Sequence, residues 1–164
     1  MALLARLACI LSLVLLGACA TSDSGEISSS DADDHDEKID EINRTWEEFR
    51  VTANECTLTD GACFVDALAA SGFEEAVTDL QATARSLATT VETGECRSSL
   101  TAFDATLEDL LGSLDELKDD AEAADESRIE SSAPAVRSAW DAAVTAQGST
   151  EVCFSGGFET TTDR

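Results

Sequence analysis

From Ile39 onward, apolar residues recur in alternating steps of three and four, and this spacing constrains the fold more than any other feature of the chain. The first stripe is Ile39, Ile42, Trp46, Phe49, Ala53 and Cys56. The second is Phe73, Val77, Leu80, Ala84, Leu87 and Val91. The third and longest runs Cys96, Leu100, Phe103, Leu107, Leu110, Leu114, Leu117, Ala121 and Ala124. The fourth is shorter: Ala133, Val136, Trp140 and Ala143. Most positions between these are polar. An α-helix turns about every 3.6 residues, so this spacing gathers the apolar side chains on one face and leaves the other wet. A half-buried strand needs alternation at every second residue, and no stretch sustains it. The expected class is therefore all-α, with amphipathic helices packing at coiled-coil-like angles.

Breakers separate the stripes. Thr59-Asp60-Gly61 follows the first, and Ser71-Gly72 separates a short turn, Ala62 to Ala70, from the second. Thr93-Gly94 closes the second helix, as glycine commonly does at a helix end. Ser131-Ser132 can cap a fourth helix whose first turn holds Pro134, where a missing N–H costs nothing. Gly148-Ser149 is the expected stop of that helix, while Asp125 to Ser131 fits either neighbour. Short links favour sequential antiparallel neighbours, so an antiparallel up-down four-helix bundle is the leading fold. A three-helix bundle with a loosely packed end is the alternative.

The amino end is of a different kind. Met1 to Leu16 is a short apolar run with one early cation, Arg6, and it closes in Leu16-Gly17-Ala18-Cys19. A positive start, a brief apolar centre and small residues before a cut site mark a secretory signal. Leu7 to Ala20 holds 14 residues, short of the ~20 that a membrane span needs. The closing tetrapeptide resembles the lipobox of bacterial lipoproteins. The resemblance implies a diacylglycerol on the Cys19 sulfur, cleavage before Cys19, and acylation of the new amino end. It covers this segment alone.

Between Cys19 and the first stripe, Ala20 to Glu37 offers only Ala20, Ile27 and Ala32 as apolar residues. Such a composition buries too little surface to order itself and reads as a disordered tether. A flexible coil of this length spans roughly 20–25 Å. The expected organisation is a signal peptide over 1–18, a lipidated Cys19 with a flexible acidic tether over 19–37, a helical domain over 38–158 and a disordered tail over 159–164.

Cys9 leaves with the signal and Cys19 takes the lipid, so Cys56, Cys63, Cys96 and Cys153 remain. Four cysteines in an exported chain read as two disulfides with three possible pairings. Bundle topology selects among them. Cys56 ends the first helix and Cys63 follows at the same end. The second helix then descends ~30 Å, placing Cys96 at the opposite end, to which the fourth helix returns Cys153. The expected pairs are Cys56–Cys63 and Cys96–Cys153. The other pairings join opposite ends, beyond the ~4.4–6.8 Å Cα separation that a disulfide spans.

Charge excludes some functions. The chain has 34 acidic and 10 basic side chains, a formal charge of −24, which becomes −25 once Arg6 is removed. Non-specific nucleic-acid binding needs cations to displace counterions, so it is excluded, and no nucleic-acid partner is expected. Adhesion of the domain surface to anionic lipid is disfavoured, which leaves membrane attachment to acyl chains on Cys19. The same charge favours a monomer.

Catalytic signals are weak. His35, the single histidine, lies in Asp33-Asp34-His35-Asp36-Glu37. Carboxylates with imidazole are metal ligands in principle, but a solvated tether gives them no fixed geometry. The calcium-loop pattern, counted from Asp31, needs glycine and glutamate where Asp36 and Ile42 stand. Nucleophile, zinc-protease and phosphate-loop motifs are missing. Glu47-Glu48, Glu74-Glu75 and Asp119-Asp120 are uninformative pairs in a chain so acidic. Trp46 and Trp140 fall on inward stripes and read as core, and Phe154 and Phe158 read as packing against the bundle's near end. No enzyme, cofactor or metal site is expected. The expected function is a membrane-anchored extracytoplasmic lipoprotein, a non-enzymatic binding or structural module whose partner is an envelope protein or polymer. The alternative is a carrier of a small apolar ligand held beside Trp140, where Ala84, Ala133 and Ala143 leave space.

Overall fold

A computed structural model describes residues 27–92 and 94–154. Residues 1–18, Cys19, the tether up to Glu26, Phe158 and the tail over 159–164 lie outside the described residues. The class is all-α: five helices and no strand among the described residues. They are α1 (Ser29–Ala53), α2 (Gly61–Ser71), α3 (Phe73–Thr90), α4 (Glu95–Glu122) and α5 (Glu126–Phe154).

The first correction concerns the tether. α1 begins at Ser29, so residues 29–37 are helix rather than flexible chain. Ser28 caps it: its hydroxyl oxygen accepts from the Asp31 amide at 3.2 Å. Asp31, Asp33 and Asp34 then lie near the helix N-terminus, where the dipole favours carboxylates. The acidity that argues for disorder thus supports a helix start. Buried His35 supplies the missing inward residue, four before Ile39, and extends the first stripe by one turn.

The second correction is a fifth helix. The expected turn after Asp60 is helix α2, capped by the Asp60 side chain, which accepts from the Cys63 amide at 3.2 Å. It buries Phe64, Ala67 and Leu68. Gly61 is buried where any β-carbon would drive into the Ala121 carbonyl of α4, so α2 docks because this residue has no side chain. Gly72, at φ +69°, takes the left-handed conformation that lets α3 leave directly.

The third correction concerns the last helix. α5 starts at Glu126, with Asp125 accepting from the Arg128 amide at 3.2 Å, and runs unbroken to Phe154. Ser132 is therefore no cap. It is buried inside the helix, and its hydroxyl donates to the Arg128 carbonyl at 3.1 Å. Pro134 lies inside the helix rather than in its first turn. Its missing N–H falls on an exposed side, where water can serve the Glu130 carbonyl. Gly148 does not stop the helix.

Cross-helix pairs fix how neighbours run. Near the start of α3, Glu74 meets Lys118 near the end of α4 at 3.0 Å. Near the end of α3, Arg85 meets Asp104 near the start of α4 at 2.8 Å. These two helices are antiparallel. α4 packs against α2, α3 and α5, and α1 packs against α2 and α3. The core is centred on α4, where Leu100, Leu107, Leu110 and Leu114 are fully buried. An aromatic cluster closes it: Phe73 sits 5.2 Å from Trp46, 6.0 Å from Phe49 and 5.6 Å from Trp140, between ring centroids.

Candidate functional site

The four cysteines form the two expected pairs. Cys56–Cys63 bridges the end of α1 to the first turn of α2 with a Cα separation of 5.6 Å. Cys96–Cys153 joins the start of α4 to the end of α5 at 4.9 Å. Both separations fall inside the range a disulfide tolerates. Cys96 and Cys153 also pack against a small apolar cluster of Leu87, Val91 and Leu100, with Phe154 beside them.

His35 belongs to this same end. It is 2 % exposed, and its ring lies 4.6 Å from Phe154 of α5 and 6.3 Å, edge-on, from Phe103 of α4. Among the described residues neither ring nitrogen has a hydrogen-bond partner, and the nearest carboxylate, Asp36, stands 3.7 Å from Nδ1 and points to water. The acidic residues around His35 in sequence do not converge on it in space, and no group of three metal-ligating side chains occurs among the described residues. Sequence reasoning misses the burial because the inward stripe is carried on by a polar residue.

Burial holds the His35 imidazole below its ordinary pKa of 6.5, against the raising influence of Asp36 and Asp34 on its own helix. The rings facing it from α4 and α5 carry no charge. The unfolded chain therefore binds a proton that the folded chain refuses. Stability should be complete above pH ~6.5 and decline below it, by at most about 1.4 kcal/mol per pH unit. Acid also relieves the chain's self-repulsion, so the measurement is a difference: urea melts of wild type and His35→Leu between pH 5 and 8. Wild type should lose stability relative to the variant as pH falls. Parallel profiles would show that His35 does not couple to folding.

The seam between α1 and α5 is the other distinctive region. Rings bridge it: Trp46 stacks on Trp140 with centroids 4.9 Å apart and planes 18° apart. Toward the Gln147 end, beside Ala143, the space left is about 10 Å³, so the cavity expected beside Trp140 is filled there. On the Ala133 side the seam opens into a pocket of about 130 Å³, walled by Trp46, Phe49, Phe64, Leu117 and Val136. Arg50 and Arg137 border it. Arg50 is engaged by Glu47 through two hydrogen bonds. Arg137 is exposed, with no ion pair or hydrogen bond among the described residues. The pocket was legible only as an excess of small residues; its arginine carries no sequence signal.

No protein-family model, no curated protein and no solved structure matches this chain.

Proposed function

We propose that the protein is a lipoprotein of the cell envelope, anchored through Cys19 on the extracytoplasmic side of a membrane and acting as a non-enzymatic binding or structural module. Its four long helices serve as an up-and-down scaffold, with α2 as a brace. The observation that carries this reading is the fate of the cysteines. All four that follow Cys19 are paired, which suits an oxidising compartment, and Cys19 alone closes the Leu-Gly-Ala-Cys tetrapeptide. No helix among the described residues is long and apolar enough to cross a membrane. His35 is buried under Phe154. The partner class this suggests is an envelope protein or polymer rather than nucleic acid, given the charge of −24.

The test is Cys19→Ser. The variant should move from the membrane pellet to the soluble fraction with its melting transition unchanged, because the lipid would be attached before the first helix. A variant that still pellets after a salt wash would contradict the anchor.

A second reading, a carrier of a small apolar ligand, is favoured by the 130 Å³ pocket on the α1–α5 seam.

A further inference from the structure

We propose that the pocket between α1 and α5 binds a small aromatic carboxylate, with the ring inside and the carboxylate on Arg137. The proposal rests on the carrier reading and names its ligand class.

Size comes first. An apolar cavity of roughly 150 Å³ holds one benzene, and this pocket offers about 130 Å³. Its walls match a ring: Trp46, Phe49 and Phe64 supply aromatic surface, and Leu117 and Val136 supply aliphatic surface. Offset or edge-on ring contacts add to simple burial. Longer molecules would leave much of their length in water.

Charge selects the other end. Among the described residues, every other cation is engaged. Lys38 bonds Asp79, Arg44 bonds Glu48, and Arg85 bonds Asp104. Lys118 bonds Glu74, Arg128 pairs with Asp120, and Arg97 donates to the Ala88 carbonyl. In a chain with 34 acidic side chains, a guanidinium without a partner stands out, and it borders the one apolar pocket described above. Its planar fork matches a carboxylate's two oxygens. Arg50 is neutralised by Glu47 and leaves that task to Arg137.

The experiment titrates the full chain with phenylacetate and with its neutral isostere phenylacetamide, following the tryptophan fluorescence of the Trp46–Trp140 stack and, in parallel, calorimetry. Arg137→Gln removes the cation, and Ala133→Leu fills the pocket. The expected result is phenylacetate binding at least about tenfold tighter than phenylacetamide, the gain of one charge-assisted contact. That preference should vanish in Arg137→Gln, whose melting temperature should be unchanged because the side chain has no partner to lose among the described residues. Ala133→Leu should abolish binding of both. Equal affinity for the two probes, with both lost in Ala133→Leu, would overturn the carboxylate assignment and leave the carrier reading intact. No binding of either probe at millimolar concentration, or binding indifferent to Ala133→Leu, would overturn the proposal and the carrier reading together.

Discussion

Removing the Cys96–Cys153 bond by Cys96→Ala with Cys153→Ala should cost about 4 kcal/mol of unfolding free energy, against about 2.5 kcal/mol for the Cys56–Cys63 pair. The reason lies mainly in the unfolded chain. The first bond closes a separation of 57 residues and the second only 7, and loop-closure entropy grows with length. The native state adds to the difference. Cys153 holds the end of α5 in place, and with it Phe154 over the buried His35. Without the bond, the end of α5 relies on non-covalent contacts, among them Phe154 against His35 and against the cluster of Leu87, Val91 and Leu100. Urea denaturation of the two double variants checks the order. Equal losses, or a larger loss from the shorter loop, would mean that contacts other than the bond fix α5 to α4.

Phe73→Ala should cost a further 3–5 kcal/mol, the usual range for deleting a fully buried phenylalanine. Phe73 is 0 % exposed and touches rings from three sides: Trp46 and Phe49 of α1, and Trp140 of α5. It is also the first residue of α3, pinned there by the left-handed turn at Gly72, so neighbours cannot easily slide into the vacated space. The loss should appear both in urea midpoint and in near-ultraviolet circular dichroism, because the Trp46–Trp140 stack rests on this ring. A loss below about 1 kcal/mol would show that the aromatic cluster repacks freely.

What the sequence displayed was what local spacing controls. The three-four stripes identified the inward faces of all four long helices, and every one of Leu100, Phe103, Leu107, Leu110, Leu114 and Leu117 is buried. The disulfide pairing followed from which ends of the stripes the cysteines occupy. Boundaries were harder where one signal stood for two things. Acidic residues before Lys38 suit a disordered tether and a helix N-terminus equally, and only the docking of His35 decides between them. The turn from α4 to α5 hid because Ala124, at φ +51°, occupies the left-handed position where glycine would have announced a stop. Conversely, Gly148 and Pro134 announced boundaries that tertiary packing overrides. α2 was taken for a turn because its apolar stripe is brief; its docking depends on Gly61 meeting the Ala121 carbonyl, a contact between distant residues. The role of Arg137 at the pocket was illegible for the same reason. An arginine without a partner is a fact about every other charge in the fold.

The most direct test is the mass of the amino-terminal peptide of the protein purified from the membranes of its own cells. Cleavage before Cys19 with a diacylglycerol on its sulfur and an acyl chain on its nitrogen is the predicted species. A peptide that retains residues 1–18, or an unmodified Cys19 on protein recovered from the soluble fraction, would contradict the anchored envelope role.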